Sequence, residues 1–397
     1  MVKSISHRAE LISAEAAFFV LSKAKELEAK GKKIIHLEIG EPDFDTPKYI
    51  KDAAIESLLK GETHYTPSAG LPEFRQAIAE KAKEERGIDI DWKKNVVVTT
   101  GAKQAIFTSL TTILNEGDEV LYPNPGFPAY ESTILFSGAK PIPVILEEEN
   151  EFRMIPEKVN ELITNKTKAI ILNSPHNPCG SVLKKEDVKG IAEIAEDNDL
   201  YIISDEIYKH IIFDGLKHYS AACFGKGLEN TIIIDGLSKS YAMTGWRCGY
   251  VIAPEEVTKR IIKLVNVITS CMGAFIQKAG IAALKGSMEA VNEMVKKYDE
   301  RRKIMISEFE KIENASLFKP RGAFYGWINV KKPLEKKKMN SEKFIEYLME
   351  KYGVAVLHGS SLGKYGEGYI RICFATSEEN IINGIRLLGK AVNELMK

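Results

Sequence analysis

Lys239 lies three residues beyond the Asp235-Gly236 pair that closes an apolar run, Ile232, Ile233 and Ile234, and eight residues before Arg247. Such a run reads as a strand buried on both faces. A lysine just past its C-terminal edge is placed to point into a crevice above a sheet. Arg247 follows Gly245 and Trp246, and a second short apolar stretch begins at Tyr250. An amine nucleophile with an anion-binding guanidinium close behind it suits a phosphorylated carbonyl compound held as a Schiff base. A lone lysine in so lysine-rich a chain would be an ordinary surface residue. The other stretches decide the matter.

Most of them follow a predicted strand. After Val96, Val97, Val98 and Thr99, the residues Gly101, Ala102 and Lys103 turn into a helix whose first backbone amides lack internal partners, a place where phosphate binds. Lys103 either adds charge there or faces solvent. Strand 118–122 leads to Phe127, an aromatic face free to stack on a flat ring. Strand 168–172 leads to NSPHNPCG, a structured turn carrying Asn177. Strand 200–204 ends in DEIY, with Asp205 and Tyr208, and Asp205 stands 34 residues before Lys239. Arg371 lies in an apolar strand, 369–375, where its charge needs a partner. His176 and Cys179 are neighbours without a further ligand cluster, so no metal site is expected.

The elements that must position these residues follow from periodicity. Helices are predicted near 8–30 (with the apolar patch Phe18, Phe19, Val20 and Leu21), 47–60, 71–86, 184–196, 254–268, 273–285, 288–313, 341–351 and at the C-terminus. A strand is predicted over 34–39, and KKPLEKKK reads as a basic surface loop. Strands alternate with helices through 95–255, which predicts an α/β domain with a mostly parallel sheet. We expect a large domain over 46–285 and a smaller one from 1–45 packed with 286–397. There is no internal repeat or low-complexity linker.

The chain of 397 residues is 44% hydrophobic, and its 55 Lys plus Arg balance 55 Asp plus Glu. That size allows two domains and a large core, and the balance gives no general pull toward nucleic acid or membrane. Five scattered cysteines (Cys179, Cys223, Cys248, Cys271, Cys373) form no CxxC pair, which points to a reducing cytoplasm. The start, MVKSISHRAELI, lacks the apolar core of a signal peptide, and no apolar run approaches the ~20 residues of a membrane span. No GxGxxG follows the first strand and no P-loop is present, against a nicotinamide dehydrogenase or a P-loop enzyme. No basic module for DNA binding accompanies the rest.

In order and spacing these motifs resemble, from about Ile35 to Leu388, the class I/II aminotransferases of the fold type I group that uses pyridoxal 5'-phosphate. The overall pattern is most similar to their aspartate/aromatic/alanine branch. The resemblance implies a large domain with a mostly parallel seven-stranded sheet flanked by helices, plus a smaller α+β domain. It makes Lys239 the residue that carries the cofactor and moves the proton. It gives Asp205 the pyridine nitrogen, Tyr208 and Asn177 the ring oxygen, and Phe127 and Ile207 the two ring faces. The phosphate falls to Gly101, Ala102, Lys103, Ser238 and Arg247, with Tyr65 reaching across a homodimer interface. The substrate carboxylate falls to Arg371 and Asn177, with the backbone beside Gly40 close by. In one detail the chain departs from the family. Many members carry a hydroxyl residue three places before the lysine, where this chain has Gly236, and Ser238 either substitutes or the phosphate loses one donor. The function implied is ping-pong transfer of an amino group from an L-amino acid, aspartate-type, to a 2-oxo acid such as 2-oxoglutarate. A C–S β-lyase acting on cysteine conjugates shares nearly all these residues and stays open as the alternative. No arginine is placed by motif on a distal side-chain carboxylate.

Overall fold

A computed structural model describes residues 5–12 and 15–397. Its centre is a seven-stranded sheet built from β1 (Val96–Thr99), β2 (Glu119–Asn124), β3 (Lys140–Ile145), β4 (Thr167–Asn173), β5 (Tyr201–Asp205), β6 (Thr231–Gly236) and β7 (Gly249–Ile252). The spatial order is β1-β7-β6-β5-β4-β2-β3. All neighbours are parallel except β7, which runs against both β1 and β6. The C-terminal ends of the other six strands therefore share one edge with the start of β7.

The apolar runs work as a period of two with both faces covered. Ile232 and Ile234 pack with Ile106, Leu110 and Ile134 from helices Ala102–Ile113 and Ala129–Phe136 on one face. Ile233 faces the other way, among Phe74, Ile78 and Ala279 of helices Pro72–Arg86 and Ala274–Lys285. Ile170 and Ile202 share that side with Ile191 of helix Lys185–Asp197.

A second sheet is antiparallel, with β8 (Ser316–Phe318), β9 (Tyr325–Asn329), β10 (Leu357–His358) and β11 (Tyr369–Cys373) in the order β10-β11-β9-β8. Helices Glu289–Phe309, Ser341–Tyr352 and Glu378–Leu395 pack on it through Tyr298, Phe344, Ile381 and Leu388. Val20 and Ala24 of helix Ala16–Ala29 join the same cluster, and Ile35–His36 pairs in parallel with Val354–Ala355. Tyr208 and Ile207, just past β5, also belong to it, so this core reaches the rim of the large sheet.

Three predicted elements differ from the observed ones. KKPLEKKK is no loop: Lys331–Lys337 is a helix with Pro333 and Leu334 buried. Its proline falls in the first turn, where a missing N–H costs nothing, and Asn329 Oδ1 accepts from Lys331 N at 3.1 Å. The helix predicted over 8–30 begins as a separate turn, His7–Glu10, before Ala16–Ala29, and Phe18 and Phe19 are exposed. Part of that prediction, residues 13–14, lies outside the described residues. The strand predicted over 34–39 is two residues long, because only Ile35–His36 finds a partner and the chain then turns inward past Gly40.

Candidate active site

Above the shared edge lies a cavity of about 610 Å³. Of the residues singled out in the sequence, Gly40, Ala102, Lys103, Phe127, Asn177, Asp205, Ile207, Tyr208, Ser238, Lys239, Arg247 and Arg371 border it. Each strand end delivers one group because a strand stops where its ladder stops and its next side chains turn into the crevice.

Lys239 follows β6 and its Nζ donates to the carbonyl of Gly40 at 2.7 Å. No carboxylate pairs with it among the described residues. Loss of hydration on burial pushes its pKa down to about 8, and the guanidinium groups of Arg371 and Arg247 act in the same direction. Asp205 ends β5. Burial raises its carboxyl to about 6, against the hydrogen bonds from the Tyr130 hydroxyl to Oδ2 (2.7 Å) and from the Ile207 amide to Oδ1 (3.2 Å). Both donors are neutral, so neither supplies the cation that would hold the carboxylate charged. Asn173 at the end of β4 donates to the Asp205 carbonyl (3.1 Å) and accepts from the Asn177 amide (3.0 Å), fixing the two strand ends together.

Arg371 comes from β11 in the other sheet. Its Nη1 donates to Asn177 Oδ1 at 3.0 Å and Nη2 to the Glu38 carbonyl at 2.7 Å. Its Nε is buried without a partner. A buried guanidinium left with spare donors and no carboxylate is built to receive one.

At the other end, Gly101 precedes helix Ala102–Ile113 with φ +84°, and no side chain caps that helix. A Cβ on Gly101 would stand 2.5 Å from Arg247 Nη2, and one on Gly249 would stand 2.6 Å from the Gly101 carbonyl carbon. The glycines thus let the helix amides and Arg247 close on one small volume, a cradle for an anion. Gly236 also has no room for a side chain: a Cβ would meet the Cys248 carbonyl at 2.9 Å. That is a physical reason for the missing hydroxyl residue, and Ser238, buried and bordering the cavity, is the hydroxyl left.

Two predicted residues lie away from the anion cradle. Lys103 Nζ pairs with Glu15 Oε1 at 2.5 Å and lies 5.8 Å from the ring centres of Phe18 and Phe127, at the cavity's mouth. Tyr65 is 90% exposed and does not line the cavity. The sequence reading passed over Tyr130, Asn173 and Tyr325. Tyr130 falls three residues after Phe127 and carried the signal of an i, i+3 neighbour, whereas Tyr325 looked like any aromatic in a strand. Among the described residues no group of three or more His, Cys, Asp or Glu could hold a metal ion.

An anion cradle, an enclosed carboxyl with no cation beside it, a cavity-facing amine and a guanidinium with open donors are what pyridoxal 5'-phosphate and an amino acid need. The donor set therefore fits that cofactor. The comparisons agree. The family model described as Aminotransferase class I and II matches residues 32–388. The chain is 44% identical over 376 residues to the aspartate aminotransferase of Pyrococcus horikoshii, covering 94% of each. Among solved structures it is similar to the aromatic aminotransferase from Pyrococcus horikoshii OT3, at 42% identity and TM-score 0.87, covering 94% of this chain and 99% of that one. It is also similar to the aspartate aminotransferase from Thermus thermophilus with maleate, at 34% identity and TM-score 0.93, covering 98% and 100%.

Proposed function

The chain belongs to the class I and II aminotransferase family, and from that premise we propose that it moves the amino group of L-aspartate-type amino acids to a 2-oxo acid such as 2-oxoglutarate by a ping-pong mechanism. The enzyme is a pyridoxal-phosphate-dependent aminotransferase acting on amino and oxo acids. One observation carries the reading: an unpaired amine, Lys239, shares a cavity with the open donors of Arg371.

Bound pyridoxal 5'-phosphate supplies an electrophilic carbonyl conjugated to an electron-withdrawing ring. Lys239 would anchor it, and its amine would take the proton from the substrate Cα and give it back. An amine with pKa about 8 has a usable neutral fraction near pH 7 and still donates well, as a general acid and base must. Asp205 would hold a proton at the ring nitrogen, and Tyr208 and Asn177 would donate at the ring oxygen. Gly101, Ala102, Ser238 and Arg247 would hold the phosphate, and Phe127 and Ile207 would cover the ring faces. Arg371 and Asn177 grip the α-carboxylate, so that the Cα–H bond stands toward Lys239.

The substrate reading is supported by the relative named for aspartate and by the solved relative that holds maleate. A homodimer with Tyr65 reaching the partner's phosphate is supported by the exposure of Tyr65, Leu59 and Val267. A boundary near 285 between domains 46–285 and 1–45 plus 286–397 is supported by the packing of helix Ala274–Lys285 on the large-sheet core. Five free cysteines suit a reducing cytoplasm. Among the described residues no helix is long and apolar enough to cross a membrane.

Initial rates with L-aspartate and 2-oxoglutarate varied together test the proposal. Parallel double-reciprocal lines are expected. Intersecting lines would rule out the ping-pong order, and pyruvate and sulfide released from L-cysteine without a 2-oxo acid would assign the lyase instead.

A further inference from the structure

Tyr325, on β9, touches three of the residues discussed above. Its hydroxyl is 2.8 Å from that of Tyr208. Its ring centre lies 4.4 Å from the guanidinium carbon of Arg371. Its oxygen also fills the space beside Gly40, where a Cβ would fall 2.1 Å away. Gly40 is thus a glycine because Tyr325 occupies the place of its side chain, while the Gly40 carbonyl takes the Lys239 hydrogen bond.

Two phenols meeting at one contact hold two protons, and the contact uses one. Among the described residues, each hydroxyl has the other as its hydrogen-bond partner. If Tyr208 donated to Tyr325, it would present only lone pairs to the cavity. If Tyr325 donates, the Tyr208 proton stays free. We propose that Tyr325 is a positioning residue whose hydroxyl donates to the Tyr208 oxygen, so that the Tyr208 proton is aimed at the ring oxygen of the cofactor. This rests on the reading of Tyr208 given above.

Two observations favour that direction. The Arg371 cation on the Tyr325 ring stabilises partial negative charge on its oxygen, which makes Tyr325 the better donor. Burial raises both hydroxyls, and the Arg371 charge opposes the rise in both, as the second-largest influence on Tyr325, whose ring it covers, and a lesser one on Tyr208. A hydrogen bond received by Tyr208 also polarises its own O–H, strengthening the next bond in the chain.

The test is the pH midpoint of the visible absorption of the protein loaded with pyridoxal 5'-phosphate. A hydrogen bond to the ring oxygen stabilises its negative charge, so the chromophore loses its proton at lower pH, and losing the donor raises the midpoint. Tyr208→Phe is expected to raise it by about one unit and Tyr325→Phe by about half a unit. The double variant should go no further than Tyr208→Phe alone, since both act through one proton. Tyr325→Phe keeps the ring, and the thermal midpoint of its apo form should stay within about 3 °C of the parent. An unchanged or lowered midpoint in Tyr325→Phe, with Tyr208→Phe still raised, overturns this inference and leaves the Tyr208 role standing. An additive double variant also overturns it. An unchanged midpoint in Tyr208→Phe removes the premise itself.

Discussion

Asp205 and Glu206 are adjacent at the end of β5, both carboxylates and both buried, yet their surroundings are opposite. Asp205 faces the cavity, meets only neutral donors, and is raised to about 6. Glu206 faces the back of the rim, where Arg86 Nε donates to it at 2.8 Å and Ser204 at 2.9 Å. Despite its burial, the Arg86 guanidinium holds it well below the usual carboxylate range. Arg86 also reaches Asp235 at 3.0 Å, which Lys209 and Tyr250 bond as well. The two lysines divide in the same way: Lys209 is paired, and Lys239, four residues past Asp235, is not. Charges satisfied within the protein fasten β5 to β6. Those left unsatisfied face the cavity, where a cofactor or substrate completes them. Binding in such a site stabilises the fold through the ligand, at the expense of the empty protein.

Several substitutions would sharpen or break that division. The largest effect is expected from Lys239→Ala, which should lower transamination by at least about 10⁴-fold with the circular-dichroism spectrum unchanged; near-normal turnover would end the assignment. Asp205→Asn should lower kcat by roughly 10²–10³-fold, the scale of losing one preorganised electrostatic group, whereas Glu206→Gln should change the protein mainly through stability.

The same two variants should move the stability of the apo protein in opposite directions. A carboxyl raised from its ordinary value near 4 to about 6 makes a contribution that is whole below pH 4 and lost as pH rises through 6. At pH 7 the wild-type apo protein therefore bears a penalty of about 3 kcal/mol at Asp205. Asp205→Asn removes it, offset by about 1 kcal/mol for the weakened Tyr130 bond. Glu206 is depressed, so its contribution is present above pH ~4.3 and lost as pH falls. Removing its charge leaves Arg86 with Asp235 as its remaining fully buried partner and should cost about 2 kcal/mol. Urea melts of the two apo variants at pH 7 would read both signs, and destabilisation by both would show that the cavity side carries no stored penalty. A smaller effect concerns Lys239 itself. In the apo protein its acylation rate, followed by peptide mass spectrometry, should rise with a midpoint near pH 8 rather than the ~10.4 of an ordinary lysine.

Six strands of the large sheet were legible because runs such as Ile232–Ile234 are buried on both faces, and strand ends announce a crevice; Lys140–Ile145, with two prolines and only Val144 buried, was not, and the number seven came from the family resemblance. Lys239, Asp205 and Asn177 were legible for the same reason, since each directly follows such a run. Residues that act across the fold were not. Nothing in the spacing brings Tyr130 to Asp205, 75 positions away, or Tyr325 to Tyr208, 117 positions away. The helix at Lys331–Lys337 was hidden by its lysines, because the charge pattern of a short exposed helix with two buried residues matches that of a loop. Arg86 gave no signal at all, being the last residue of a helix otherwise ending in charged residues.

The most direct test of the central claim is the visible absorption spectrum of the purified protein loaded with pyridoxal 5'-phosphate, before and after L-aspartate, with Lys239→Ala beside it. The wild type should be yellow, bleach with L-aspartate and recover its colour on adding 2-oxoglutarate, and Lys239→Ala should show no such cycle. A wild-type protein that stays colourless with added cofactor, or a Lys239→Ala protein that cycles normally, would contradict the account at its centre.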